Sequence, residues 1–172
     1  MILGIGTDII SVQRVAELCE KHGRHFMDRV FTAAEQEAAG QGPGAAQKLA
    51  ARFAAKEAAM KALGTGWARG VTFLQIEVVR EASGRPTIRL SGEAEAIARA
   101  MGATEVHLSL SHEREHAVAF VVMEGRDGGL TPGPSPCGRG ESTATSPPDP
   151  LSTQWRGGER RAAGAEGGER RP

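Results

Sequence analysis

The chain has few cysteines, no excess of either charge and no long apolar run, and each absence closes off a class of function. Only two cysteines occur in 172 residues, Cys19 and Cys137, and they form no ligand-spaced cluster. Cys19 reads as a small apolar residue on a helix, as expected in a reducing cytosol. Up to Glu124, 14 Lys and Arg face 15 Asp and Glu, so no strongly basic field points to nucleic acid. No stretch approaches the ~20 apolar residues of a membrane span. The N-terminus lacks the charged-then-apolar pattern of a secretion signal, and the expected location is the cytoplasm.

The composition changes after Glu124. From Gly125 to Pro172, 18 of 48 residues are glycine or proline, and the large apolar residues dwindle to Leu130, Leu151 and Trp155. Such a segment cannot bury enough surface to offset its ordering entropy. The expected organisation is therefore one small domain over residues 1–124, followed by a disordered tail over 125–172.

Within the domain, strands and helices alternate. A strand is expected at 2–7 and a helix at 12–22. Thr32 with Glu35 fits a capping box that opens a short helix ending near Gly40. A loop, Gln41-Gly42-Pro43-Gly44, leads into a long helix from Ala45 to Leu63. Residues 75–80 and 87–90 read as a hairpin around Ser83-Gly84. A helix follows at 93–101. Residues 105–111 alternate, with Val106, Leu108 and Leu110 on one face. A last strand spans 116–123. The pattern is an α+β fold with a mainly antiparallel sheet packed against helices.

Two segments carry the chemistry. In RFAAKEAAMKALGTG (52–66), Phe53, Glu57 and Lys61 recur at steps of four on one helix face, with Lys56 flanking the stripe. A carboxylate and two ammonium groups beside two glycines suit a magnesium ion and a phosphate chain. The alternative is an ordinary i,i+4 pair on a solvated helix. In GIGTDII (4–10), Ile5, Ile9 and Ile10 mark a short buried strand, and the two glycines let another backbone approach closely. Asp8 interrupts the apolar run, and a carboxylate buried there is costly unless paired or bound to a cation. Helix capping by Asp8 or Ser11 is the competing explanation.

Together these segments resemble holo-acyl-carrier-protein synthase, a family of 4'-phosphopantetheinyl transferases. The likeness rests on the N-terminal G-x-G-x-D-I-I, on R-F-A-x-K-E-A-x-x-K-A-x-G-T-G, and on Leu108-Ser109-Leu110-Ser111-His112 followed by Ala117-Val118-Ala119. It spans residues 1–124. The resemblance implies transfer of the phosphopantetheine arm of coenzyme A to a serine of apo-acyl carrier protein, with Mg2+ held by Asp8 and Glu57. Asp8, Glu57 and Lys61 would be catalytic. Lys56, Lys61, Gly64, Thr65, Gly66, Ser111 and His112 would contact the coenzyme. Arg14, Lys21 and Arg24 on the first helix would meet the acidic carrier protein, and the molecule would be a homotrimer with shared active sites. Two other readings use the same residues: a magnesium-dependent hydrolase acting on coenzyme A with water, and a non-catalytic module that binds a carrier or nucleotide.

Overall fold

Strand β1 (Ile2–Ser11) opens the chain in the computed structural model, which describes residues 1–42, 44–66 and 69–126. Pro43 and the expected disorder of residues 127–172 lie outside the described residues. β1 runs four residues past its expected end, so Asp8 sits inside a strand and is not a helix cap. The cap is Ser11, whose hydroxyl accepts the Arg14 N–H at 3.3 Å. Helix α1 (Val12–Val30) continues beyond its expected end at residue 22. Gly23, at φ 53° and ψ −133°, breaks it into two helical segments.

Thr32 and Glu35 form the expected capping box at the start of α2 (Ala33–Ala39). Helix α3 (Ala45–Ala62) follows, then a 3-10 turn at Phe73–Gln75. A hairpin comes next, β2 (Ile76–Arg80) with β3 (Pro86–Leu90). Helix α4 (Gly92–Ala100), β4 (Glu105–His112) and β5 (His116–Glu124) complete the order. β5 lies between β1 and β4, and every pairing among the described strands is antiparallel. The α+β architecture is the one expected.

Close packing of α3 on the three-stranded sheet organises the domain. Along β1, Gly4, Gly6, Asp8 and Ile10 share one face by the two-residue repeat of a strand. A Cβ at Gly4 would collide with the Ala62 carbonyl, and one at Gly6 with the Ala58 carbonyl. The two glycines thus admit the helix backbone, as their place in the sequence implied. On the same sheet face Ala117, Ala119, Val121 and Met123 of β5 are fully buried. α3, which packs on this face, buries Ala50, Ala51, Ala54, Ala55, Ala58, Ala59 and Ala62. Phe53 packs on Phe73 with ring centroids 5.1 Å apart, and Phe26 meets Phe31 edge-on at 6.1 Å.

The opposite sheet face corrects the expectation of a buried strand. Ile10 is buried, whereas Ile5 and Ile9 are 63% and 65% exposed and Phe120 on β5 is 54% exposed. An apolar strip therefore runs along the side of the sheet away from α3. Where the sheet ends, the Met1 ammonium donates to the Gly125 carbonyl at 2.6 Å, and the Gly125 N–H returns a bond to the Met1 carbonyl.

Candidate active site

Asp8 lies opposite Ala119 in the sheet, on the face that meets α3. The last turn of α3 brings Lys61 to it: the Lys61 Nζ donates to Asp8 Oδ1 at 2.9 Å and to the Thr7 carbonyl at 2.8 Å. Asp8 is largely enclosed, its side chain 17% exposed, while Lys61 reaches solvent. Burial raises the Asp8 pKa above the ordinary aspartate value. The Lys61 ammonium, the Ile9 N–H and the Arg14 charge pull it back only in part. Two residues 53 positions apart in the chain, singled out by separate motifs, thus form one ion pair.

Glu57 stands one helical turn before Lys61 and next to Ala58, whose carbonyl lies over Gly6. Its Oε1 is a buried oxygen. Asp8 and Glu57 both end in hard carboxylate oxygens, the donor type Mg2+ prefers. By donor type these two residues fit the expected ion, and the Lys61 ammonium rests against Asp8.

Lys56 does not join them, which corrects its expected role in phosphate binding. It is fully buried, and its Nζ donates to the Phe73 carbonyl at 2.9 Å, the Ile76 carbonyl at 2.6 Å and Glu35 Oε2 at 2.7 Å. An ammonium has three N–H groups, so its donors are committed to protein. Burial lowers the Lys56 pKa and the Glu35 charge opposes the shift. Glu35 is the residue that sequence reasoning missed as more than a cap. Besides closing the capping box, its Oε1 accepts the Val78 N–H at 2.9 Å.

The Gly64-Thr65-Gly66 turn closes the helix, a role that Gly64 can fill beside the expected contact with the coenzyme. The Gly64 N–H donates to the Lys61 carbonyl and the Thr65 N–H to the Met60 carbonyl, with Gly64 left-handed at φ 68°. This is a Schellman termination. The Gly64 and Thr65 amides are bonded within the helix end.

Ser111 and His112 end β4, paired with Val118 and Ala117. Alternation sends them to opposite faces: His112 shares the α3 side with Asp8, and Ser111 shares the side of Ile9. Both line an open depression of about 330 Å³ at the β4–β5 turn, with Glu113, Arg114, Glu115, His116 and Val118. On the sheet face away from α3, His107 Nε2 lies 3.1 Å from Glu124 and 3.7 Å from Glu105, a separate cluster of metal-capable groups. On α1, Arg14, Lys21 and Arg24 are exposed. Arg14 is close enough to Asp8 to lower its pKa, whereas Arg24 lies beyond the break at Gly23 and 3.9 Å from Asp28.

Residues 4–121 match the sequence profile of the 4'-phosphopantetheinyl transferase superfamily. The holo-[acyl-carrier-protein] synthase of Halorhodospira halophila is 50% identical over 123 residues, covering 72% of this chain and 98% of the relative. That of Koribacter versatilis is 47% identical over 124 residues, covering 72% and 99%. Among solved structures, the synthase from Neisseria meningitidis superposes with a TM-score of 0.66 at 40% identity, covering 72% of this chain and 99% of its own. The Bacillus anthracis synthase in complex with CoA (3',5'-ADP) gives 0.61 at 41%, covering 73% and 99%. With its motifs on β1 and α3 brought together as one carboxylate–lysine cluster, the chain belongs to the 4'-phosphopantetheinyl transferase superfamily, among the holo-acyl-carrier-protein synthases.

Proposed function

We propose that this chain moves the 4'-phosphopantetheine arm of coenzyme A onto a serine of apo-acyl carrier protein, for use in fatty acid biosynthesis in the cytoplasm. The observation that carries this reading is the Asp8–Lys61 pair, which joins the two family motifs across β1 and α3. In the reaction the serine oxygen forms a bond to the β-phosphorus, and the bond to the bridging oxygen breaks. Adenosine 3',5'-bisphosphate leaves, and the serine proton passes to a water molecule.

Charge grows on the phosphoryl oxygens and on the leaving phosphate, so positioned positive charge accelerates the step. Lys61 supplies it, since its ammonium is anchored at Asp8 and still reaches solvent. Asp8 and Glu57 would hold Mg2+, which when bound polarises the phosphoryl group as a Lewis acid. His112, on the same sheet face as Asp8, and Ser111 would contact the coenzyme at the β4–β5 turn. Gly66 would border it, whereas the Thr65 side chain is buried. Arg14, at the first turn of α1 beside Asp8, together with Lys21 and Arg24, would meet the acidic carrier and steer its approach.

We further propose that three copies assemble through the exposed sheet face and share their sites, and that residues 1–124 carry the whole activity. The apolar strip of Ile5, Ile9 and Phe120 supports assembly, because contiguous exposed apolar surface marks an interaction site.

Intact-mass measurement of apo-acyl carrier protein incubated with this protein, coenzyme A and Mg2+ tests the function. The expected result is a gain of one phosphopantetheine arm, abolished by chelator and by Glu57→Ala. Breakdown of coenzyme A without carrier modification would identify a hydrolase. Carrier or nucleotide binding with neither reaction would identify a binding module.

A further inference from the structure

Where α3 meets the sheet, small residues face small residues. Gly4, Gly6, Ala117 and Ala119 lie under a helix that buries seven alanines but only three larger apolar side chains, Leu49, Phe53 and Met60. Helix packing is fixed in register by side-chain ridges seated in grooves. A surface of methyl groups offers shallow ridges, so beyond Leu49, Phe53 and Met60 the apolar contacts constrain the rotation of α3 only weakly. The direction of Glu57 and Lys61 depends on that rotation.

Lys56 adds a constraint of a different kind. Its buried ammonium is bonded to the Phe73 and Ile76 carbonyls and to Glu35, and Glu35 is bonded to the Thr32 and Val78 N–H groups. The Phe31 ring lies 6.0 Å from the ammonium. These directional bonds tie α3 to α2, the 3-10 turn and β2. Rotating the helix would strand a buried charge, which is far costlier than sliding one methyl group over another.

We propose that Glu35 and Lys56 are positioning residues for the transfer reaction. Their buried pair locks the rotation of α3 and so sets the direction of the adjacent Glu57 and holds Lys61, one turn on, against Asp8. The inference rests on the reading of Asp8, Glu57 and Lys61 as the transfer site. Replacing both residues by apolar side chains removes the two charges together, so no unpaired buried charge is left, although the Phe73 and Ile76 carbonyls and the Thr32 and Val78 N–H groups lose these partners.

The test is the double variant Glu35→Leu/Lys56→Met, assayed for thermal unfolding, for kcat, and for the Mg2+ concentration that gives half-maximal rate. The expected result is a protein that folds with a lowered unfolding midpoint, since four backbone groups lose these partners, and that shows, in its folded fraction, a fall in kcat of about tenfold or more and a several-fold rise in half-saturating Mg2+. A merely structural pair would shift the midpoint and leave the Mg2+ dependence of the folded fraction alone. A folded double variant with parental kcat and Mg2+ dependence overturns the proposal. If the double variant does not fold, Glu35→Gln is measured below its own unfolding midpoint with the same two outcomes. Glu57→Ala, run alongside, separates the premises. Full transfer by that variant sinks the site assignment itself, whereas loss there beside parental behaviour in the pair variants sinks only the positioning role.

Discussion

Asp8 shows at the residue scale how function opposes stability. Its folded-state pKa lies above the unfolded value of 3.8, chiefly because burial penalises the charged form. A group with a raised folded pKa contributes stability that is fully present below the unfolded pKa and lost as pH rises through the folded one. At neutral pH the Asp8 carboxylate therefore works against the fold. Asp8→Asn keeps the shape and an acceptor for Lys61 but removes the charge. In chelator-treated protein at pH 7.5 it is expected to raise the unfolding midpoint by a few degrees while abolishing transfer. The gain should shrink as pH falls toward 3.8, where the parent is protonated too. A lower midpoint at pH 7.5 would show that the bond to Lys61 outweighs the cost of burial. Asp8 was legible in the sequence because a single carboxylate interrupts an isoleucine run. Lys56 was not, because burial of a lysine depends on partners 17 to 21 residues away, and its immediate neighbours, an alanine and a glutamate, show no face. Glu35 looked like a cap for the same reason: its local bond is encoded locally, and its bonds to Lys56 and Val78 are not.

At the scale of elements, the fit between β1 and α3 sets where the site forms. Gly6→Ala would drive a methyl group into the Ala58 carbonyl, with the Ala58 carbon and the Ala62 nitrogen both only 2.8 Å from it. Backbone atoms cannot turn aside as a side chain can, so the helix must shift outward. Overpacking of this kind costs about 1–3 kcal/mol, and a backbone clash belongs at the upper end. Denaturant unfolding should show that loss, and transfer should fall further than the folded fraction does, because the shift separates Lys61 from Asp8. A Gly6→Ala protein of parental stability would mean that β1 and α3 do not touch there. Element types were readable throughout from periodicity and caps, and the errors fell at ends. α1 is expected to end at residue 22, yet past Gly23 the chain resumes helical geometry with Phe26 and Val30 buried. β1 looked short because Asp8 appeared to break it, whereas pairing with β5 continues to Ser11 opposite His116.

The molecule as a whole leaves one sheet face without cover among the described residues, and sequence alone could not reveal it. Ile5 and Ile9 read as core because isoleucine in a strand is usually buried. Strand alternation puts them on the side away from α3, which carries its own full set of glycine, alanine and valine. Phe120 lies opposite Thr7 and Ser109, between the Ile5 and Ile9 rows, so the exposed apolar groups are contiguous across strands. Fully burying a side chain of this size is worth about 1.5–3 kcal/mol, and three per copy give association a substantial driving force. With the shared-site assembly proposed above, the protein is expected to run as a trimer by light scattering at micromolar concentration. Phe120→Glu places a charge in the centre of the strip while pointing away from the α3 core. It should yield monomer with parental circular dichroism and lose most transfer activity, since a site shared between copies cannot be completed by one. A Phe120→Glu monomer with full activity would show that each copy carries a complete site. A parent protein that is itself monomeric would remove the shared-site assembly altogether and assign the strip to another partner.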